Sequence, residues 1–404
     1  MLTILGWSCI GASVVIGSYP AFESVFLKTR YNKRKIKENL QQAFVNAELY
    51  KKRDNVKIYP TILKIEQNTK CTTLVFSVPK GISPESVKDR LFVFKQHFGM
   101  HVDLDVNEKR GILKVYKKGL PTKHKFDWNE IKEAIKGMNM PIVAGINKVG
   151  EVVAYDMVKE NRANLIIIGE PGAGKSTQIR QILTTWVKYL NSDLLKMYLI
   201  DLKRSEFYLF RNLENTNVST TEEELLPKLH EIRKEMNKRG ELLDKYEVSH
   251  IDDLPIKLPY IALCIDEFSI VAQNKDILKL MQQITSLGRA LGIVCLISMQ
   301  RASHDLIPTF IRSNMNVGMG FRVVDKSNAN MIGTEGAELI KQAGRMVCKI
   351  DKLEEIQAPF LEINKAKKLL KPYKVLENHT TQSEDTNTHD EYAKVRELFQ
   401  SEKS

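Results

Sequence analysis

Two hydrophobic periodicities alternate along the middle of the chain. Apolar runs of strand length occur at residues 165–168, 197–201, 260–265, 293–298 and 317–323. Stretches with helical spacing lie between them, the longest over 221–246. Short apolar runs are typical of strands buried on both faces, and their alternation with helices predicts parallel pairing. Residues 125–365 are therefore predicted to form an α/β domain with a doubly wound, mostly parallel sheet.

A second pattern, with shorter elements, precedes this domain. Strands are predicted at residues 56–59, 61–65, 71–78, 101–106 and 111–116, with one helix from Gly81 to about Phe98. This order predicts a small α+β domain over residues 55–122. Its aromatic residues Phe92, Phe94 and Phe98 are predicted to be core rather than a binding platform.

The first residues are apolar. Residues 2–19 carry no charge and are just long enough to span a bilayer, so residues 1–27 are predicted to be a membrane anchor. Basic residues follow the stretch and none precedes it, which argues against a cleaved signal peptide and places the remainder in the cytoplasm. A buried N-terminal helix is the alternative, because glycines and serines dilute the hydrophobicity. The number of spans stays open.

The segments next to these regions are polar. Residues 28–54 are predicted to form a basic juxtamembrane helix with an amphipathic pattern that suits anionic lipid headgroups. Residues 366–404 are predicted to be a polar, disordered tail.

Composition narrows the choice of partner. The chain has 404 residues, and its formal net charge of +12 favours a polyanion, either nucleic acid or an anionic membrane surface. A lysine-rich solvated surface would give the same charge. The five cysteines form no C-x-x-C pair, so we expect reduced cysteines rather than disulfides or a metal cluster.

A phosphate-binding motif follows the strand predicted at 165–168. Its residues are Gly169, Glu170, Pro171, Gly172, Ala173, Gly174, Lys175, Ser176 and Thr177. The glycines let backbone N–H groups surround a phosphate, Lys175 reaches the β- and γ-phosphates, and the Ser176 hydroxyl binds Mg²⁺. The motif lies between a predicted strand and a predicted helix, as this chemistry requires. ATP and Mg²⁺ are the predicted ligands.

A second buried strand, over residues 260–265, ends in two carboxylates. Asp266 is predicted to hold Mg²⁺, and Glu267 to orient the attacking water. Gln300 follows the next strand and is a candidate γ-phosphate sensor. Candidates for transition-state stabilisation are Arg289, Arg301, Arg312 and Arg322, for each of which a structural ion pair is the alternative.

These motifs together resemble the FtsK/SpoIIIE family of membrane-anchored DNA-pumping ATPases. Segments similar to family elements include Leu199 to Glu206, Glu235 to Arg239, Ile265 to Phe268 and Gly288 to Arg301. The proline of one family element is Ala302 here. The resemblance covers roughly residues 145–345.

The resemblance implies a RecA-like P-loop NTPase domain that assembles as a homo-oligomeric ring, usually a hexamer, around double-stranded DNA. It implies Arg289 as the preferred arginine finger acting on a neighbouring subunit, with Arg301 second. Lys203 and Arg204 are candidates for contact with DNA phosphates.

The compact layout is closest to FtsK-like coupling proteins of Gram-positive conjugative elements. The leading hypothesis is thus an ATP hydrolase, anchored in the cell membrane, that delivers DNA to a conjugation channel, with a relaxase and channel proteins as further partners. Alternatives are a chromosome or plasmid segregation translocase, a protein-secretion motor of the same family, and a non-hydrolysing scaffold.

Overall fold

The computed structural model of the protein describes residues 32–159 and 162–375. The predicted anchor over 1–27 and residues 376–404 of the predicted tail lie outside the described residues. Among the residues that are described, no helix is both long and apolar enough to cross a membrane.

The N-terminal part is built on a four-stranded antiparallel sheet with strand order β3-β4-β6-β5. Its elements are α1 over residues 32–46, β1 Lys51–Arg53, β2 Val56–Ile58, β3 Ile62–Gln67, β4 Cys71–Ser77, α2 Pro84–Asp89, α3 Leu91–Phe98, β5 Val102–Val106 and β6 Arg110–Tyr116. The predicted single helix after Gly81 is wrong, because it is divided at Arg90. Phe94 is fully buried as predicted, whereas Phe92 is 53% exposed.

Helix α1 belongs to the core of this small domain. Leu40 and Phe44 are at most 1% exposed, and the Phe44 ring lies 5.0 Å from the ring of Phe76 on β4. A basic helix is present in the predicted 28–54 segment. Its apolar face, however, packs on protein, so only its polar face is available to lipid.

The C-terminal part contains a ten-stranded sheet, within the described residues, of order β12-β11-β13-β14-β10-β15-β16-β17-β8-β9. Its strands are β8 Pro141–Ile146, β9 Val152–Asp156, β10 Asn164–Ile168, β11 Leu195–Asp201, β12 Thr216–Ser219, β13 Tyr260–Asp266, β14 Ile293–Met299, β15 Val317–Phe321, β16 Arg345–Lys349 and β17 Leu353–Gln357. A parallel pair is formed by β7 His124–Lys125 and β18 Pro359–Phe360. The helices are α4 Trp128–Ala134, α5 Lys175–Tyr189, α6 Glu222–Tyr246, α7 Lys275–Leu287, α8 Thr309–Arg312, α9 Lys326–Met331 and α10 Ile363–Leu370.

The sheet is parallel only in its first half. The six strands from β12 to β15 pair in parallel, as predicted, while β15 to β9 pair antiparallel. Strand β10 shows why this half is so apolar: Leu165 and Ile167 pack in the core that contains α5, and Ile166 and Ile168 in the core on the opposite face. Successive side chains point to opposite faces, so a strand covered on both sides needs an unbroken apolar run.

The prediction of a disordered tail from residue 366 is wrong at its beginning, because residues 366–370 belong to helix α10. Ala366 and Leu370 are fully buried, and the helix packs on α5. Its lysines make the segment look polar in sequence, but an amphipathic helix needs only one apolar face to dock.

Candidate nucleotide site

The candidate site lies where neighbouring parallel strands end. Strand β10 pairs with β14, and β13 pairs with both β14 and β11. Parallel strands bring their carboxyl ends to one edge of the sheet, which is where such sheets bind ligands. The phosphate-binding motif of residues 169–177, the P-loop, follows β10, Asp266 ends β13, and Gln300 follows β14. The predicted halves of the site are therefore brought together.

Lys175 is buried in the P-loop. Its side-chain nitrogen donates a hydrogen bond to the carbonyl oxygen of Gly169 at 2.7 Å, and the residue is 9% exposed. Burial lowers the pKa of Lys175, while the charges of Glu267 and Asp266 oppose that shift. The ammonium group thus lies inside the loop, close to both predicted carboxylates.

Gly174 allows a second segment to cover the P-loop. Its φ is +125°, and a Cβ atom there would lie 3.0 Å from Gly344 Cα. The Gly344 amide donates to the carbonyl oxygen of Ala173 at 2.8 Å. The chain just before β16 is therefore fastened to the loop, a contact that the sequence did not predict.

Glu170 is held by one of the candidate arginines. Arg322 Nε donates to Glu170 Oε2 at 2.8 Å, and the Glu170 amide donates to the Arg322 carbonyl oxygen at 2.8 Å. In this structure Arg322 forms the structural ion pair that was the alternative to a catalytic role.

Asp266 is a buried carboxylate, 8% exposed. The Ser298 hydroxyl donates to Asp266 Oδ1 at 2.6 Å. Burial raises the pKa of Asp266, aided by the charges of Asp201 and Glu206 and opposed by the Ser298 hydrogen bond. A cation beside this carboxylate would relieve the unfavourable burial of its charge.

Glu267 has a different environment. Its backbone is in the left-handed region, with φ of 57°. Lys203 Nζ lies 2.6 Å from Glu267 Oε2, and Glu267 Oε1 accepts from Ser269 Oγ at 2.5 Å and from the Gln300 amide at 3.2 Å. Burial alone would raise the pKa of Glu267, but these hydrogen bonds outweigh it and lower the pKa. Glu267 is therefore ionised at neutral pH.

The loop after β11 is tied down by Asp201. Its carboxylate accepts from the backbone amides of Ser205, Glu206 and Phe207 at 2.8 to 3.0 Å. Glu206 in turn pairs with the buried Arg180 of α5 at 3.2 Å. The segment from Leu199 to Glu206 resembles a family element, and these contacts hold it beside the site.

Two of the predicted arginines, Arg301 and Arg289, lie at opposite edges of the sheet. Arg301 follows the carboxyl end of β14, on the same edge as the P-loop. Arg289 precedes the amino end of β14 and is thus on the opposite edge, away from the P-loop of its own chain.

The donor groups fit Mg²⁺. This ion keeps several waters and takes one or two protein oxygens besides phosphate oxygens. Ser176 offers a hydroxyl in the first turn of α5, and Asp266 offers a carboxylate whose burial raises its pKa although Ser298 and the charge of Lys175 oppose that shift. Among the described residues no group of three or more His, Cys, Asp or Glu residues is arranged to hold a metal by itself, and this ion does not require one.

A cavity of about 410 Å³ opens beside the P-loop. Gly172, Gly174 and Thr177 form one wall, and Lys123 and Phe360 line another part. The Lys123 ammonium lies 4.2 Å from the centre of the Phe360 ring. Lys123 precedes β7 and Phe360 belongs to its partner strand β18, so the two residues are far apart in sequence and no local motif could have indicated them.

Comparison with known proteins identifies one family by two routes, a family model and individual relatives. The family model described as FtsK/SpoIIIE family matches residues 132–346. A DNA translocase FtsK of Borreliella burgdorferi is 30% identical over 231 residues, which is 54% of this chain and 29% of that protein. One from Chlorobaculum tepidum is 27% identical over 249 residues, or 56% of this chain and 31% of that protein. The chain thus spans less than a third of the length of these relatives.

Two solved structures share the fold. The pCW3 conjugation coupling protein TcpA, in its monomer form with ATPγS, matches with a TM-score of 0.58 and 19% identity, covering 84% of this chain and 100% of that one. EssC of Geobacillus thermodenitrificans, in a structure of its ATPases 2 and 3, matches with a TM-score of 0.55 and 21% identity, covering 63% of this chain and 52% of that one.

Proposed function

Because the chain belongs to the FtsK/SpoIIIE family of P-loop ATPases, we propose that it is a membrane-anchored, ATP-dependent DNA translocase that delivers DNA to a conjugative transfer channel. The observation that carries the proposal is the meeting of Lys175, Asp266 and Glu267 at one edge of the sheet. These groups are what phosphoryl transfer from ATP to water requires.

Each residue has a defined task in this proposal. The P-loop amides and Lys175 bind the ATP phosphates, and Ser176 and Asp266 hold Mg²⁺, which neutralises phosphate charge when bound. Glu267 accepts a hydrogen bond from the attacking water. The Gln300 amide and the Ser269 hydroxyl keep its carboxylate in place.

DNA is the proposed substrate for two reasons. The net charge of +12 suits a phosphate backbone, and the relatives are DNA translocases. The proposed assembly is a homo-oligomeric ring, a hexamer, held at the cell membrane by residues 1–27, with a relaxase and channel proteins docking on it. The fold similarity to the coupling protein TcpA, which includes most of this chain, favours conjugation over chromosome segregation.

The central test is DNA-stimulated turnover. The full chain, purified in detergent, should hydrolyse ATP faster with double-stranded DNA and should displace the third strand of a DNA triplex. Lys175→Ala should lower hydrolysis at least about 100-fold, because a positioned charge on the phosphates is lost. Hydrolysis that neither double- nor single-stranded DNA stimulates would contradict the proposal.

A cellular experiment separates the alternatives. Donor cells that carry Lys175→Ala should lose transfer of the element that encodes the protein while chromosome segregation continues. The fold similarity to EssC makes a secretion motor the competing candidate. Loss of one exported protein with DNA transfer intact would favour that candidate.

A further inference from the structure

Glu267, the proposed water-orienting carboxylate, is paired with a cation that ATP hydrolysis does not need there. The ammonium group of Lys203 lies 2.6 Å from Glu267 Oε2. The Glu267 side chain is 8% exposed, whereas that of Lys203 is 36% exposed. The ion pair therefore joins a buried carboxylate of the site to a side chain that reaches solvent.

The three donors described on the Glu267 carboxylate differ in kind. Ser269 Oγ and the Gln300 amide share Oε1, and Lys203 occupies Oε2. The first two are a short side chain and a backbone group, which hold the carboxylate in position. Lys203 has a long, flexible side chain. Its ammonium group occupies Oε2, the oxygen to which an attacking water would have to donate a hydrogen bond.

The loop that carries Lys203 is fixed at its base and open at its tip. Asp201 accepts hydrogen bonds from three backbone amides, of Ser205, Glu206 and Phe207. Lys203 and Arg204 protrude at the tip, and Arg204 is exposed with φ of 54°. Two adjacent cations on a braced turn suit a phosphate backbone, since an ammonium binds phosphate as a point charge.

We propose that Lys203 restrains hydrolysis. Without DNA, its ammonium holds Glu267 Oε2; on contact with a DNA phosphate, the ammonium exchanges partners and Glu267 becomes free to orient water. A partly exposed ion pair is weak enough for a dense array of phosphates to compete with it. That DNA releases Lys203 rests on the proposed function. That Lys203 restrains Glu267 rests on the ion pair alone.

The test compares steady-state ATP hydrolysis by the full chain with and without a short DNA duplex. In Lys203→Met the DNA-free kcat should rise about two- to fivefold, the range that corresponds to breaking a partly exposed ion pair, with KM for ATP unchanged. Stimulation by DNA should fall by the same factor. Lys203→Arg keeps the charge and should therefore keep the DNA-free kcat at the wild-type level.

A matched control removes a positive charge elsewhere. Lys234→Met changes an exposed lysine on α6 and should leave the DNA-free rate unchanged. Binding of a fluorescent ATP analogue shows whether Lys203→Met is folded; if it is not, Lys203→Gln, which keeps a donor but no charge, provides the same comparison.

A DNA-free rate in folded Lys203→Met or Lys203→Gln at or below that of the wild type would overturn the restraint and make Lys203 a structural support of Glu267. A raised rate together with unchanged stimulation by DNA would overturn the exchange of partners. If DNA fails to stimulate the wild type, the proposed function fails, and the DNA-free rate of the variant still decides whether Lys203 restrains Glu267.

Discussion

At the scale of single residues, the adjacent carboxylates Asp266 and Glu267 lie in different environments that shift their pKa values in opposite directions. Burial raises the pKa of Asp266, whereas hydrogen bonds from Lys203, Ser269 and Gln300 outweigh burial and lower that of Glu267. Carboxylates whose environments shift their pKa values apart are suited to different tasks. Here Asp266 suits the binding of a cation, and Glu267 suits the binding of a water molecule.

The raised pKa of Asp266 has a consequence for stability. We expect Asp266→Asn to abolish hydrolysis and yet to raise the free energy of unfolding of the nucleotide-free protein by about 1 kcal/mol near neutral pH, because the cost of burying a charge disappears. The Asn side-chain oxygen can still accept the Ser298 hydrogen bond. Urea denaturation and ATP turnover measure the two effects.

The raised pKa of Asp266 makes the stability difference between Asp266→Asn and the wild type depend on pH. A carboxyl whose pKa is higher in the folded state favours folding most when it is protonated in both states, and that contribution is lost as the pH rises through the folded pKa. The gain in Asp266→Asn over the wild type should therefore shrink toward acid pH and grow toward neutral pH. A variant less stable than the wild type at neutral pH would contradict this account.

The sequence identified Lys175, Asp266 and Glu267 because each sits in a local motif. It could not identify Ser298 as the partner of Asp266, since the two lie on different strands. Lys203 was assigned to DNA by resemblance, and the contact with Glu267 emerged only when β11 and β13 were placed side by side.

At the scale of elements, α6 shows how a polar-looking helix is anchored. Thr221 caps its first turn by accepting from the Glu224 amide. The Arg239 side chain is 1% exposed, pairs with Glu235 at 3.0 Å, and donates to the carbonyl oxygens of Leu291 and Pro259 at 2.8 Å each. An arginine that resembles a family motif residue thus fastens α6 to the segments before β13 and β14.

We expect Arg239→Met to lower the free energy of unfolding by about 2 to 3 kcal/mol, because two partly buried carbonyl groups lose a charged donor. The control is Arg233→Met, an exposed position on the same helix, for which a change within about 0.5 kcal/mol is expected. Thermal and urea denaturation measure both. Equal effects of the two substitutions would show that Arg239 acts only through net charge.

Prediction of elements succeeded for five strands of the parallel half, whose two faces are both buried. The five apolar runs of the parallel half appear as β10, β11, β13, β14 and β15, with ends within about two residues of the predicted ones. Strands β16 and β17 were missed because they contain charged residues such as Arg345 and Glu355, which pair with each other at 3.3 Å. Their strand character depends on a neighbour that the local pattern does not contain.

At the scale of the whole molecule, the position of Arg289 restricts its role. It precedes the amino end of β14, while the P-loop follows the carboxyl end of the parallel neighbour β10. The predicted arginine finger therefore has to act on a neighbouring subunit if it acts on ATP at all.

Subunit mixing tests that prediction. Arg289→Ala keeps an intact P-loop, and Lys175→Ala keeps Arg289, so each is inactive alone. In an equal mixture of freely assembling subunits, about a quarter of wild-type hydrolysis should return, because that fraction of sites combines both intact halves. Hydrolysis that stays at the level of the separate variants would exclude Arg289 as a finger in trans.

The predicted anchor is tested by deletion. Removing residues 1–27 should move the protein from carbonate-washed membranes to the soluble fraction, because the apolar stretch supplies the insertion free energy. Helix α1 stays in the shortened chain with its apolar face buried against β4, so its basic face alone should bind vesicles in a salt-sensitive way. Release of the intact protein by carbonate would contradict an anchor.

The sequence by itself determined the nucleotide chemistry, the parallel strands and the family, since these depend on local spacing and on unbroken apolar runs. Only the tertiary structure decided the antiparallel half of the sheet, the docking of α1 and α10, and the pairing of Lys203 with Glu267. The physical reason is the same in each case: these features depend on which segments become neighbours, and burial and charge pairing are properties of neighbours.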